Sequence, residues 1–455
     1  MTTQPRPVYV IGAGPGGLAA AAALRARGVR AVVVEKSDTV GASWRSHYDR
    51  LHLHTTRRLS ALPGLPIPRR FGRWVSRDNV VRYLEKYAEF HELEIVTGVE
   101  VTCIERAPEP PAETGSETDP APTTKPKKKQ QQQTKKRTKK HHSPDPGWLL
   151  HATGGRVLAA QAVVVATGFN HTPAVPDWPG LDTYSGQLLH ARDYRNPTPF
   201  KGKDVLVVGA GNTGAEIAAD LASSTTPTPI STDGSPDGTP TTPRIRLAIR
   251  TTPHVVRRST LGWPAQRTGI LVRRLPVRLV DRLGALSAKA SVPDLAAYGL
   301  PRPTTGLYSR VKEGAIPVQD VGLIDAVRSG RVEPVAAVAG FDGDEVILAD
   351  GSRITPDAVI AATGYRRALE GLVGHLDGVL DERGRPRTHG ARALPQAPGL
   401  YFTGFTNPIS GMFREMALDA EKIARALSRR LGSRTQRDRD ESLPYTDLPP
   451  VDPLA

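Results

Sequence analysis

The chain has 455 residues, 38% of them hydrophobic, and a formal charge of +15, which leaves room for two or three domains and a sizeable core. Its one cysteine, Cys103, excludes an intrachain disulfide, a CxxC redox pair and a cysteine-based zinc site, and it fits a reducing cytoplasm. Nine Lys/Arg residues and no acid lie in "KPKKKQQQQTKKRTKKHH", Lys125 to His142; without them the charge falls from +15 to +6, so the remainder carries no specific nucleic-acid signature.

The first apolar strand begins near Val8 with no secretory signal before it, and the longest apolar run, "LAAAAAL", is too short to span a bilayer. A soluble, cytoplasmic protein is expected. That strand, "VYVIG", leads into a helix from about Pro15 to Arg27 and a strand "AVVVE" ending at Glu35. From Ala107 to Gly147 the composition turns to Pro, Glu, Thr, Lys and Gln, with too few apolar groups to offset ordering entropy. A disordered surface loop is expected there, either a solvated spacer or a weak, salt-sensitive polyanion contact through 125–142.

A strand "AVVVATG" ends near Gly168, and "DVLVVG", a helix to Ala222 and "RLAIR" then repeat the opening unit around a second polar tract, Ser223 to Pro243. Two short strands, "AVIAATG" and "LYFTGF", a helix from about Phe413 to Ser428 and a charged, proline-rich tail from Gly432 complete the chain. Alternating strands and helices predict an α/β fold with parallel, doubly wound sheets.

Two glycine fingerprints carry the chemistry. Gly12 allows a tight strand-to-helix turn, Gly14 lets the backbone approach a pyrophosphate, and Gly17 lets helix and strand pack closely. The helix N-terminus offers unpaired N–H groups to phosphates, and Glu35 ends the second strand where a carboxylate binds ribose hydroxyls. Gly209, Gly211 and Gly214 make the same turn, with Asn212 and Thr213 counted among its cofactor-binding candidates. At the corresponding strand end stands Arg250, suited to a ribose 2′-phosphate unless it is an ordinary surface charge. NADPH is expected at this second site, and FAD or NAD at the first. Two dinucleotide sites in one chain suggest transfer of electrons from a nicotinamide to a flavin.

Between the fingerprints, "YSGQLLHARDY" resembles the identifying motif of class B flavin monooxygenases, with Gly186, His190 and Tyr194 in place and Tyr184 where phenylalanine is common. "EKSDTVGASW" resembles a flavin-contacting segment ending in Trp44. "YDRLHLHTTRRLSALP", "IPVQDVG", "AATGY" and "GFTNPISGMFREMALDAEKIA" are similar to flavin-containing monooxygenases, particularly the YUCCA-like branch. The resemblance covers residues 7 to 430 apart from the polar tracts.

It implies a discontinuous FAD domain, 1–178 and 345–430, an inserted NADPH domain, 179–344, and a tail, 431–455. It implies FAD contacts at Trp44, Val101 and Gly404, and an NADP-positioning or hinge role for His190. Val101 as a plain strand residue stays equally open. The implied cycle uses NADPH, FAD and O2 to form a C4a-hydroperoxyflavin that passes one oxygen atom to a small organic substrate, with no metal. His54 falls where relatives carry an active-site asparagine or histidine, and Asn170 is a second catalytic candidate; packing and turn roles remain open for both.

The resemblance points to oxidative decarboxylation of an aryl 2-oxo acid such as indole-3-pyruvate, with N- or S-oxygenation of a lipophilic metabolite as the alternative. An NADPH oxidase, a non-enzymatic nucleotide-sensing or polyanion-binding protein, and a homodimer stay open.

Overall fold

The computed structural model describes residues 6–108, 146–224, 244–260, 262–272 and 275–432. The expected disorder of the two polar tracts and the tail, and the polyanion contact through 125–142, lie outside the described residues.

Two five-stranded parallel sheets organise the chain. In the first, strands run in the order Leu400–Phe402, Ala162–Val165, Val8–Ile11, Ala31–Val34 and Glu94–Val96. The three central strands are continuous apolar runs, the pattern of strands covered on both faces. Pro15–Arg25 starts with proline at its N-terminus, buries Gly16 through Leu24, and packs against Met412–Arg430. An antiparallel layer of Val101–Arg106, Trp148–Ala152 and Arg156–Ala160 closes the far side around Ile104, Trp148 and Leu150.

The second sheet repeats this plan with Gln187–His190, Ala358–Ala361, Val205–Val208, Ile245–Ile249 and Glu333–Ala336, and the helix Asn212–Ser224. It too carries a three-stranded antiparallel layer, Val338–Asp342, Glu345–Leu348 and Arg353–Ile354, joined to the sheet through Phe341, Val346 and Leu348.

This topology corrects the expected boundary at 344/345. Ala358–Ala361 pairs with both Val205–Val208 and Gln187–His190, so the inserted unit continues through the "AVIAATG" segment. Leu369 is the first residue after it to rejoin the outer core. The physical reason is the duplication itself, since each fingerprint strand needs a neighbour whose end lies against its glycine turn. Outgoing Thr172–Pro173 and returning Tyr365–Arg366 pair antiparallel, so the chain crosses between units as one two-stranded ribbon.

Across the interface, Tyr48 and Leu51 of the outer unit pack into the inserted core with Tyr194 and Phe200. His47, beside them, has its ring held neutral down to about 4 by burial, with Arg195 and Arg77 adding repulsion. A histidine depressed in the folded state contributes stability above its unfolded value near 6.5 that is lost as pH falls towards 4. We expect urea-unfolding stability to decline over that window by up to about 1.4 kcal/mol per pH unit, less in proportion to the ring's residual solvent access. His47→Gln should flatten this slope; an unchanged slope would remove His47 as its source.

Candidate functional site

Both glycine turns show the same constraints. Gly12 and Gly209 have φ of +104° and +113°, and a Cβ there would meet the carbonyl oxygens of Ala166 at 2.7 Å and Ala362 at 2.6 Å. At Gly17 and Gly214 a Cβ would lie 1.9 Å from the carbonyl oxygens of Gly12 and Gly209, whereas at Gly14 and Gly211 it would enter open space. Each turn is closed from within and open on the side where a pyrophosphate would approach.

In the first unit, both Glu35 carboxylate oxygens are fixed by backbone donors, Ala13 N–H at 2.7 Å and Ser37 N–H at 2.9 Å. Thr167 and Thr403, at the ends of the neighbouring strands, have buried hydroxyls with no partner among the described residues. The equivalent Thr363 of the inserted unit donates to Ala174 O at 2.5 Å. Orphaned hydroxyls beside an open, N–H-lined turn fit a cofactor rich in hydroxyl and phosphate oxygens. Trp44 stands half-buried, edge-on to Phe413 at 5.5 Å, and Gly404 adopts φ +83° beside Met416. The Val101 side chain is buried, and its backbone pairs with Ala152 as an ordinary strand residue.

In the second unit, Asn212 is tied to the "IPVQDVG" segment: its Nδ2 donates to Pro317 O at 3.2 Å and its Oδ1 accepts from Gln319 N–H at 2.8 Å. Thr213 is half-buried beside it, and Gln319 Oε1 is a buried acceptor without a partner among the described residues. Arg250 is exposed one position beyond Ile245–Ile249, with no ion pair among the described residues. Together these groups fit a second dinucleotide.

The remaining motif residues hold the frame. Tyr184 lies across Gly186, where a Cβ would fall 2.3 Å from its hydroxyl, and donates to Pro356 O at 3.0 Å. His190 accepts from Arg192 N–H through Nδ1 and donates from Nε2 to Gly364 O, both at 3.1 Å, so both ring nitrogens are committed to backbone. Burial lowers its pKa, in keeping with a neutral ring. Both ring nitrogens are thus engaged with backbone where the chain runs between the two units.

The segment 41–54 spans the two turns. Gly41 N–H donates to Ala13 O at the first. At the second, His54 Nε2 lies 2.7 Å from Glu216 Oε1, and Tyr48 donates to Glu216 Oε2 at 3.0 Å. The His54 contact is short but off the axis of a good hydrogen bond, and His54 Nδ1 is buried without a partner among the described residues. Burial, then the Glu216 charge, pushes the Tyr48 hydroxyl well above its ordinary range, so it stays a donor. Asp220, one helical turn on from Glu216, accepts from Tyr194 at 2.8 Å and sits 3.6 Å from Arg50. Asn170 is exposed, with no hydrogen bond to His54 or to any other described residue.

Glu216, Thr167 and Thr403 were missed from sequence. Glu216 left a readable signal, an acid amid small apolar residues in "NTGAEIAADLA" on a helix otherwise buried. The two threonines left none, because a hydroxyl's lack of partners appears only in three dimensions.

A flavin-binding monooxygenase-like family model matches residues 153–376, and a pyridine nucleotide-disulphide oxidoreductase model matches residues 6–230. The chain is 34% identical to the indole-3-pyruvate monooxygenase YUCCA1 of Oryza sativa subsp. japonica, covering 87% of this chain and 86% of that protein. It is 31% identical to the probable indole-3-pyruvate monooxygenase YUCCA1 of Arabidopsis thaliana, covering 91% and 88%. Among solved structures, a flavin-containing monooxygenase from Stenotrophomonas maltophilia superposes with a TM-score of 0.64 at 22% identity, over 94% of this chain and all of that one. A cyclohexanone monooxygenase from Rhodococcus sp. Phi1 bound to NADP+ gives 0.61 at 18%, over 94% and 85%, a likeness of fold.

The contrast between the closed and open glycines is directly testable. Gly17→Ala should destabilise the apoprotein by about 3 kcal/mol through its backbone clash. Gly14→Ala should leave the unfolding midpoint near wild type and weaken FAD binding about tenfold, or 1.4 kcal/mol. Equal effects of the two on stability would contradict this division.

Proposed function

Because the chain belongs to the flavin-containing monooxygenase family, in its YUCCA-like branch, we propose that its substrate is an aryl 2-oxo acid such as indole-3-pyruvate. It is a flavin-dependent monooxygenase with FAD and NADPH as cofactors. The overall reaction balances as indole-3-pyruvate, NADPH, H+ and O2 giving indole-3-acetate, NADP+, CO2 and water. The flavin, when bound and reduced, supplies the oxygen chemistry, so the protein contributes binding, orientation and exclusion of water.

The observation that supports this reading best is the segment 41–54, which touches the first glycine turn at Ala13 and the second fingerprint helix at Glu216. FAD is assigned to the first unit, with its pyrophosphate at Gly12, Gly14 and Gly17, its ribose at Glu35, and Thr167 and Thr403 as further donors. NADPH is assigned to the second, at Gly209, Gly211 and Gly214, with Arg250 at the 2′-phosphate. His54 is the candidate for holding or moving a proton at the reacting centre through Nδ1, with Glu216 Oε1 2.7 Å from the opposite nitrogen. Tyr48 satisfies the other Glu216 oxygen and so keeps the carboxylate in place. Asn170 is retained only as a turn residue in this assignment. Cytoplasmic residence and a polyanion contact through 125–142 are peripheral to it, resting on the single cysteine and the lysine-rich tract.

Incubation with indole-3-pyruvate, NADPH and 18O2, with catalase present to remove free peroxide, should give indole-3-acetate carrying one 18O atom. Stoichiometric hydrogen peroxide when catalase is left out, with no labelled acid when it is present, would sink the assignment in favour of an oxidase. Arg250→Ala should weaken NADPH roughly a hundredfold, the scale of one charge-assisted pair, and NADH little. Parallel losses for both nucleotides would show that Arg250 does not read the 2′-phosphate.

A further inference from the structure

Arg258 is a half-buried arginine with no carboxylate partner. It lies just beyond Val255–Arg257 in the inserted unit, and its guanidinium carbon sits 4.5 Å from the ring centre of Trp74. Trp74 belongs to the outer unit, in the strand Trp74–Ser76, which pairs with His52–Thr56, the strand that carries His54. The guanidinium makes no hydrogen bond or ion pair among the described residues. Burial lowers its pKa, and of the charges that reach it Glu216 is favourable and Arg50 unfavourable.

This combination is unusual for a structural arginine. A guanidinium drawn from water is ordinarily matched by a carboxylate, since an unpaired charge in partial burial is costly. The one acid whose charge reaches it accepts from Tyr48 and has His54 against its other oxygen, and it makes no ion pair with Arg258. Arg73 also lies over this ring, at 5.3 Å, and a guanidinium over an aromatic face can still offer the N–H groups at its edge, the direction from which a planar carboxylate accepts two bonds. Gln266, from the same part of the inserted unit, locks the neighbouring backbone by accepting from Thr56 N–H at 3.0 Å and donating to Ser410 O at 2.6 Å. The arginine is therefore held at a bolted seam against the strand that carries His54, not on a free loop.

We propose that Arg258, held over the Trp74 ring, is the anion-recognition group for the substrate, binding the carboxylate of the aryl 2-oxo acid. The inference rests on the substrate class proposed above and names the residue that selects it. It separates acids from neutral carbonyl compounds of the same shape, because only the acid replaces the water the guanidinium has lost. The same N–H fork suits a phosphate oxygen of NADPH, so the test must tell the two anions apart.

The test uses the FAD-loaded enzyme with NADP+ and measures equilibrium binding of indole-3-pyruvate and of its methyl ester by calorimetry, alongside NADPH affinity. Arg258→Gln should weaken the acid about a hundredfold, leave the ester within about twofold, and leave NADPH within about twofold. Arg258→Lys, which keeps the charge and loses the fork, should fall between, near tenfold. An equal loss for acid and ester would make Arg258 a packing residue, and a loss confined to NADPH would make it a phosphate ligand; either overturns the proposal. Should Arg258→Gln fail to fold, a lysine variant that binds the acid as well as wild type does would overturn it too. Because binding is read without turnover, Arg258-dependent acid binding in an enzyme that makes no labelled product would strike only at the proposed reaction.

Discussion

Glu216 and Asp220 lie one turn apart on the second fingerprint helix, 3% and 8% exposed, and both face the outer unit. Taking a carboxylate out of water costs several kcal/mol unless its lone pairs are answered. Here Tyr48 donates to one oxygen of the first while His54 Nε2 lies 2.7 Å from the other without a hydrogen bond, and Tyr194 and Arg50 answer the second. Three of these four partners come from one short outer segment, 48–54. Tyr48 reaches Glu216, and Arg50 reaches Asp220, only when the two units dock in this arrangement, so the polar seam favours one relative placement of the two glycine turns. The same contacts that fix the docking put His54 at the junction.

That seam also sets the local electrostatics. Arg258 is within electrostatic reach of Glu216 and Arg50, Asp220 of Arg50, and His47 of Glu216. Burial of Asp220 raises its pKa, against the pull of Tyr194 and Arg50. Tyr48 and Tyr194 are both pushed up by burial and remain donors. The result is a fixed arrangement of donors and charges around the segment that links the two glycine turns, which is what a site that must orient anionic ligands while excluding water requires.

Much of this was legible in the chain. The fingerprints at Gly12 and Gly209 specified two sheets and their central strands, because a glycine whose Cβ would strike a carbonyl is a local requirement visible in the residue itself. The "ATG" that follows Val165 and Ala361 was legible as well, yet the second copy was misassigned to the returning outer unit. Reading "AVIAATG" as the twin of "AVVVATG" would have placed it beside its own glycine turn. Side-chain pairings at the seam were not legible, since Tyr48 and Glu216 lie 168 positions apart and nothing local to either marks the other. His190 shows the intermediate case: its motif named it, and only the geometry showed both nitrogens spent on backbone.

The paired strands Thr172–Pro173 and Tyr365–Arg366 bring the entry and exit of the inserted unit side by side, braced by Ala174 N–H to Gly364 O at 3.0 Å. A unit whose two ends emerge together behaves as a cassette: its closed sheet makes no topological demand on the host beyond that single ribbon. Grafting the corresponding cassette from a relative with a different nicotinamide preference would need compatible residues along the ribbon, at the carboxylate grip on the Tyr48–His54 segment, and where Gln266 and Arg258 meet Thr56, Ser410 and Trp74. Evolution could exchange the inserted unit in this architecture without disturbing the outer one.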